Sequence, residues 1–327
     1  MPPGRGTMQV FMARKRTRIV LPARGRFDLR ATVLLQDRHA LPPFRWHDGP
    51  RPVLERAEQL SDGPAYLLRI WQVSGGVMLE ATGRDAGEIE VLAPLAARVR
   101  RALALDQDVA AFRAACTHEP LLRPAAALAP GRLLRGTSTF EDVVKVLAGS
   151  NRRPDRALRS IERLIAFGRR CPARPALRAF PSPEALAGIP LRHLAARTGL
   201  GHRAAWIRML ARAVAAQRSD LEAAERLPIG DAADLLRDVP GLGPISVARL
   251  LLLLGHTDTP ALDRASRSFA RRALGGEGRP LERWLHRQKP WRGVALWCAQ
   301  RLADPASAAL LRRSWSPATL ARRAGRS

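Results

Sequence analysis

The residues best suited to chemistry lie within positions 235–272, where a lone carboxylate follows a glycine turn. Pro240, Gly241, Leu242 and Gly243 join two segments with helical apolar spacing, and Asp263 follows twenty residues after the second glycine. A carboxylate at the mouth of the next helix can stabilise a developing positive charge and orient or deprotonate a water molecule. The simpler interpretation of Asp263 is an N-cap, and the two roles are compatible.

The glycine turn itself is suited to binding an anion. The two glycines, Gly241 and Gly243, permit a tight turn with positive φ, and Pro244 suits the first turn of the next helix, where its missing N–H costs nothing. The amides around Gly241, Gly243 and Ser246 would then point outward at the positive end of that helix, which favours phosphate. The alternative is an ordinary corner between two helices.

Composition favours an acidic partner. The chain has 327 residues, 46% of them hydrophobic, and a net charge of +26, enough for two globular domains and a strong positive field. Codon bias is an alternative source of the arginine, because lysine occurs only at Lys15, Lys145 and Lys289. The field acts whatever its origin.

Cysteine and apolar spacing exclude several classes. Cys116, Cys171 and Cys298 are odd in number and far apart, which suits a reducing cytoplasm and excludes a four-cysteine metal or iron–sulfur site. No apolar run reaches membrane-spanning length, so we expect no membrane partner. No spacing typical of metal ligands is present.

The order of patterns predicts an α+β protein. We expect a basic disordered arm at 1–18, an antiparallel β-rich domain at 19–105 that ends in a helix, an all-helical domain at 106–303 and a basic tail at 304–327. Residues 27–35 alternate like a strand, residues 66–73 and 77–82 flank a Ser-Gly-Gly hairpin, and 88–92 could add another strand.

The second half is rich in alanine, leucine and arginine, which favour helices. We expect Thr139 and Asp231 to cap two of them. The predicted helices are 93–105, 108–117, 139–149, 156–167, 182–188, 191–198, 202–217, 231–238, 244–254, 264–274, 281–288 and 291–303.

Several of these motifs together resemble the helix-hairpin-helix DNA glycosylases, in the branch of the 3-methyladenine and 8-oxoguanine enzymes. The hairpin at 239–243 reads VPGLG, and Pro260-Ala261-Leu262-Asp263 stands where the family has its catalytic aspartate. Residues 199–206 (GLGHRAAW), 140–151 and 289–292 (KPWR) are similar to further landmarks in the same order. The resemblance covers 19–303.

The resemblance implies an enzyme of base excision repair that flips a damaged purine, alkylated or possibly oxidised, out of duplex DNA and hydrolyses its N-glycosidic bond. Asp263 would be the catalytic residue. Family members that also cleave the backbone carry an amine nucleophile two residues past the second glycine, and Ile245 stands there. A monofunctional enzyme without lyase activity is therefore expected. The alternative is a catalytically inactive, glycosylase-like DNA-binding module.

The resemblance also suggests contact residues. Asn151 and Arg152, with Arg153, would fill the gap left in the duplex, although a solvated loop is the alternative, and Arg267 would contact the backbone. Alkylpurine enzymes clamp cationic bases between aromatic rings, but Ile245 and Arg249 occupy positions where such rings are expected. The candidate base-pocket residues are Trp206, Phe140, Ile245 and Trp297.

The remaining expectations concern setting. We expect a monomer that binds double-stranded DNA carrying a damaged base, in the cytoplasm of a bacterium and associated with its nucleoid. No cofactor is expected beyond a possible monovalent cation at the hairpin backbone, and no metal. A basic scaffold for RNA or proteins is a further alternative, which requires the hairpin to be only a corner.

Overall fold

A computed structural model of the chain describes residues 15–36, 42–60, 63–126 and 131–304. Its first part is an antiparallel sheet of five strands in the order β1-β5-β4-β3-β2. The strands are β1 (Lys15–Pro22), β2 (Arg45–His47), β3 (Val53–Gln59), β4 (Ala65–Val73) and β5 (Gly76–Gly83). This confirms the predicted α+β class with an N-terminal antiparallel sheet.

Strands β4 and β5 form the predicted hairpin, in which Val73 pairs with Gly76. Strand β1 pairs along β5 from Lys15 to Pro22, so residues 15–18 of the expected arm belong to the sheet. Residues 1–14 of that arm, and 305–327 of the expected basic tail, lie outside the described residues.

The expected strand at 27–35 is instead helix α1 (Leu29–Leu34). Asp28 caps it, since its side chain accepts from the amide of Ala31 at 2.9 Å and its carbonyl accepts from the Thr32 hydroxyl at 2.8 Å. The prediction was wrong because the alternating apolar residues are buried as a short helix, and a buried cap outweighs a period of two.

The expected strand at 88–92 is the beginning of helix α2 (Ile89–Ala102), which starts four residues earlier than predicted. Pro94 therefore lies inside the helix rather than in its first turn, on an exposed position. Leu95 and Val99 of α2 pack into the core beneath the sheet. This end of the sheet is covered by helix, as the prediction of a β-rich domain ending in a helix requires.

The second part is helical except for a two-stranded hairpin, so the prediction of an all-helical domain needs that correction. The hairpin consists of β6 (Arg170–Cys171) and β7 (Arg174–Arg178), and Cys171 and Leu177 pack with Ala57 of β3. The helices are α3 (Ala110–His118), α4 (Arg123–Ala126), α5 (Thr139–Gly149), α6 (Pro154–Ile165), α7 (Pro183–Gly188), α8 (Leu191–Thr198), α9 (Arg203–Ala215), α10 (Ile229–Arg237), α11 (Pro244–Leu253), α12 (Arg264–Ala273), α13 (Arg279–Arg287) and α14 (Arg292–Ala303).

Two predicted caps were wrong. Ser138, not Thr139, caps α5 by accepting from the Glu141 amide, and Thr139 is the first helical residue. Asp231 lies inside α10, which begins two residues earlier than expected behind Pro228. In both cases a neighbour supplies the non-helical backbone that a cap requires.

Two separate hydrophobic clusters build the helical part. One is formed mainly by α5 to α11, and the other by α3 and α12 to α14, with Phe269 and Trp284 at its centre. Helix α11 contributes to both, because Val247 and Leu250 lie in the first and Leu252 in the second. The segment that connects α11 to α12 therefore lies at a junction between two cores.

A buried ion cluster connects the sheet to the helices. Arg56 of β3 contacts Glu141 of α5 at 3.1 Å and Glu58 at 2.6 Å, and Lys145 reaches Glu141 at 2.6 Å. Burial alone would raise the pKa of Glu141, but the charges of Arg56 and Lys145 outweigh it and hold that pKa well below its usual range. Glu141 thus stays ionised at neutral pH.

None of the described helices is both long enough and apolar enough to span a bilayer.

Candidate active site

The glycine turn predicted from the sequence connects α10 to α11 as a compact hairpin. Gly241 has φ of +88°, and a Cβ built on it would lie 2.3 Å from the Trp206 ring. Val239 and Leu242 are buried on either side of it. The turn thus needs glycine at position 241 for both its backbone conformation and its contact with α9.

The second glycine serves a different purpose. Gly243 has φ of −85° and caps α11, so the positive φ of this turn falls on Gly241. A Cβ on Gly243 would meet no atom within 4 Å, which means that the backbone faces open space there. The amides of Ile245 and Ser246 lie in the first turn of α11, before the first helical bond from Val247 to the Gly243 carbonyl. This end of α11 can receive an anion.

Asp263 stands at the start of α12. One carboxylate oxygen, Oδ1, accepts from the Ser266 amide at 2.9 Å, and the Ser266 hydroxyl donates to the Asp263 carbonyl at 2.6 Å. The side chain is 22% exposed, so it faces neither a sealed interior nor open solvent. The expected cap and an accessible carboxylate are both present.

Arg249 of α11 contacts the other oxygen of this carboxylate. Its Nη2 donates to Asp263 Oδ2 at 2.7 Å, which places the carboxylate directly against the second helix of the hairpin. Arg249 lies one helical turn after Ile245 on the same face, and Ile245 is 43% exposed. Leu262, next to Asp263, is also exposed. The Asp263–Arg249 contact is thus flanked along the chain by two exposed apolar side chains, Ile245 and Leu262.

The segment that carries Asp263 is held from behind by α14. Asp258, five residues before Asp263, accepts from Arg292 Nη2 at 2.7 Å, from Nε at 2.9 Å and from the Arg292 amide at 3.1 Å. These hydrogen bonds, chiefly those from the side chain, lower the pKa of Asp258. A Cβ on Gly293 would lie 2.4 Å from the Thr259 carbonyl oxygen, so the segment also packs closely.

Sequence reasoning missed the role of Asp258 and Arg292. The motif KPWR at 289–292 indicated that Arg292 begins the last helix, but nothing in the spacing links it to a residue thirty-four positions earlier. A carboxylate two residues before Pro260 is the one available signal, and it fits any loop.

A cavity of about 40 Å³ lies behind Arg249. Residues from both parts of the molecule surround it: Gln36, Arg135, Gly136, Asp142, Lys145, Val146, Gly149, Arg249, Leu253 and Trp297. The sequence offered no amine near Asp263, but the fold places Lys145 at this cavity. Its side chain is 5% exposed and its Nζ lies 2.6 Å from Glu141.

The structure does not bring the four candidate base-pocket residues into one pocket. Trp297 lines the cavity, and its Nε1 donates to the Leu35 carbonyl at 3.2 Å. Ile245 is exposed on α11, one turn before Arg249. Trp206 packs beneath Gly241 and against His202, with ring centroids 4.8 Å apart, and Phe140 is buried in the core of α5 to α11. Trp206 and Phe140 therefore pack between helices.

The loop proposed to enter the duplex lies between α5 and α6. Asn151 is exposed and has φ of +53°, a left-handed conformation that asparagine tolerates. Arg152 is fixed, since Nη1 donates to the Ser160 hydroxyl at 2.9 Å and Nη2 to the Gly199 carbonyl at 3.2 Å. Asn151 is therefore the more available of the two. Arg267 of α12 is exposed one turn beyond Asp263.

Within the described residues, no three His, Cys, Asp or Glu side chains form a group that could hold a metal ion.

The comparisons with known proteins concern the whole fold. No family model matches the chain, and no curated protein matches its sequence. Solved structures do match. The 3-methyladenine DNA glycosylase of Archaeoglobus fulgidus is 18% identical with a TM-score of 0.68, over 88% of this chain and 97% of that one.

Two further structures agree with this result. The apo 8-oxoguanine glycosylase/lyase of Clostridium acetobutylicum is 14% identical with a TM-score of 0.64, over 88% of this chain and 97% of its own. MBOgg1 in complex with a low-affinity DNA ligand is 18% identical with a TM-score of 0.58, over 84% and 99%. The chain therefore has the fold of the helix-hairpin-helix DNA glycosylases, which confirms the resemblance inferred from its motifs.

Proposed function

We propose that this chain is a monofunctional DNA glycosylase that removes damaged purines from duplex DNA. The observation that carries the proposal is the position of Asp263: a partly exposed carboxylate, capped on α12, in contact with the helix that follows the glycine hairpin. The fold shared with DNA glycosylases supports the same assignment.

Each part has a chemical task in this proposal. The amides at the start of α11 hold a phosphate of the damaged strand and so fix the register of the duplex. The damaged nucleotide leaves the stack and places its sugar beside Asp263. As the N-glycosidic bond breaks, the base departs with the bonding electrons and positive charge builds on the sugar. The carboxylate stabilises that charge and accepts a proton from the attacking water.

The positions of the lysine side chains support the monofunctional assignment. Ile245 occupies the hairpin position where a nucleophilic amine would be expected from the resemblance, and Lys145 is the lysine at the cavity. Its side chain is buried and lies 2.6 Å from Glu141, an ion pair that restrains it from attacking a sugar. Borohydride should trap no covalent complex with substrate DNA. A trapped complex that disappears in Lys145→Gln would assign lyase chemistry to that lysine.

A second candidate is a glycosylase-like module that binds DNA without catalysis. The Arg249–Asp263 contact favours it, because it occupies one oxygen of the candidate catalytic carboxylate in the DNA-free protein. In either case double-stranded DNA is the partner. We further propose a bacterial, nucleoid-associated monomer, with an optional monovalent cation on the hairpin carbonyls.

One assay separates the two candidates. The protein is incubated with duplexes that each carry one alkylated or oxidised purine, and hot alkali then cleaves any abasic site. Release of a damaged base by the wild-type protein supports the enzyme. Lesion-selective binding with no release from any of these duplexes supports the module instead.

A further inference from the structure

Two buried polar atoms at the cavity that Arg249 lines have no hydrogen-bond partner among the described residues: Gln36 Oε1 and Arg249 Nε. The amide orientation of Gln36 is fixed, since its Nε2 donates to the Leu134 carbonyl. Both side chains line this cavity, and the contact of Arg249 with Asp263 connects it to the candidate catalytic carboxylate. Buried polar groups are nearly always paired in folded proteins, so an unpaired acceptor and donor at one cavity call for a ligand.

The cavity is too small for a base while Arg249 stays where it is. Its volume is about 40 Å³, whereas a single benzene ring occupies a cavity of roughly 150 Å³. Arg249 is 29% exposed and held by one contact to a carboxylate that is itself partly exposed, so its guanidinium can move without breaking the core. A base that enters beside Asp263 must displace it.

The charges around the cavity disfavour a cationic base. Arg135, Lys145 and Arg249 line it, and the acidic lining residue, Asp142, already accepts from Arg101 at 2.9 Å and from the Gly136 amide at 2.6 Å. Trp297 is the ring available for stacking, and the guanidinium carbon of Arg301 lies 4.6 Å from its centroid. The aromatic face that could attract a cationic alkylpurine thus already holds a cation.

We propose that Arg249 determines specificity: it leaves Asp263 when a base enters and donates to an acceptor on the edge of that base, while Gln36 Oε1 accepts from a neighbouring N–H. The ligand is a neutral purine that carries a carbonyl acceptor and a ring N–H on one edge. Such purines include hypoxanthine and 8-oxoguanine, whereas 7-methylguanine presents the same O6 and N1–H edge but carries a positive charge, which the cationic lining disfavours. This assignment rests on the glycosylase function proposed above.

The test compares excision of neutral and cationic lesions by the full chain under single-turnover conditions. Duplexes carry hypoxanthine, 8-oxoguanine or 7-methylguanine. The variants are Arg249→Met and Gln36→Met, which keep most of the side-chain length and remove the polar atoms. Arg283→Met, at an exposed position of α13, is the control for the lost charge. The wild type should release at least one neutral lesion faster than 7-methylguanine. Each site variant should slow that release by about 10- to 100-fold, with little loss on 7-methylguanine.

Either of two results would overturn the inference: faster release of 7-methylguanine by the wild type, or equal slowing of all lesions in both site variants. Gln36→Met keeps the test valid if Arg249→Met does not fold. If no lesion is released, binding to the same duplexes decides. Tighter binding to a neutral lesion than to 7-methylguanine or undamaged DNA supports the pocket while the glycosylase function fails. Binding without such a preference overturns both.

Discussion

At the scale of single residues, the geometry of Asp263 depends on three hydrogen bonds and one supporting ion pair. Ser266 donates two of the hydrogen bonds, from its amide and its hydroxyl, and Arg249 donates the third. The Asp258–Arg292 pair holds the segment that carries Asp263. Asp263 could be predicted from sequence because its place after the hairpin is local and its cap is a helix rule. Arg249 and Arg292 could not be assigned these contacts, since both depend on how α11, α12 and α14 pack.

The Asp258–Arg292 pair should matter more for catalysis than for stability. Asp258→Asn weakens a charge-assisted pair that is about one-third exposed on each side, so the melting temperature should change little. The excision rate should fall by about 10- to 100-fold, because a small displacement of Asp263 misaligns it with the sugar. Single-turnover rates and DNA affinity are compared with those of Asp231→Asn, an exposed carboxylate of α10. Unchanged excision would remove the pair from this positioning role.

At the scale of elements, the hairpin and the helical order were predictable because glycine, proline and apolar spacing are local signals. The strand expected at 27–35 shows the limit of such signals, since a buried Asp28 cap turned alternating residues into a helix. Strand β3 was not predicted individually, because its Glu55, Arg56 and Glu58 look solvent-facing until other elements bury and pair them. Residues around the cavity could not be grouped from sequence for the same reason, since they come from α5, α11 and α14 and from the segments after α1 and before α5.

The two hairpin glycines should separate folding from DNA binding. Gly241→Ala places a Cβ 2.3 Å from the Trp206 ring at positive φ, which should lower the free energy of unfolding by about 2 kcal/mol or more. Gly243→Ala has negative φ and open space around its Cβ, so stability should stay near wild type. DNA affinity should nevertheless fall, because the added methyl group would obstruct the DNA phosphate proposed to bind the hairpin amides.

Urea titrations and DNA binding assays measure both effects, with Gly230→Ala in α10 as the control. If Gly243→Ala bound DNA as tightly as the wild type, the hairpin amides would not contact phosphate.

At the scale of the whole molecule, a buried ion cluster connects the sheet to α5, and the chain carries a net charge of +26. Composition predicted the second of these and not the first, because a count of charges does not show which ones are buried together. Two predictions follow from these features, one for each.

Glu141→Gln should destabilise the protein strongly. It leaves Arg56 and Lys145 buried with less negative charge, and removing one member of such a group costs about 3–5 kcal/mol. Because the pKa of Glu141 is lowered in the folded state, its contribution is fully present above pH of about 4.3 and is lost as pH falls through the folded pKa. Urea unfolding of the variant is compared with that of Glu162→Gln, which changes an exposed carboxylate on α6. Similar stabilities at neutral pH would contradict the structural role.

Binding to duplex DNA should weaken steeply with salt, since phosphate contacts release counterions. Arg267→Gln should reduce the slope of log K against log salt by about one unit. Arg283→Gln, at an exposed position of α13, is the control. A slope near zero for the wild type would argue against phosphate contacts, and an unchanged slope in Arg267→Gln would remove that residue from the interface.

The measurement that tests the central claim most directly is the single-turnover release of a damaged purine by Asp263→Asn. The variant keeps the size of the side chain and its cap to Ser266, so it should fold and bind DNA as the wild type does. Base release should become undetectable, whereas Asp231→Asn should retain the wild-type rate. Release by Asp263→Asn at a rate comparable to the wild type would contradict the account, because another group would then stabilise the charge on the sugar.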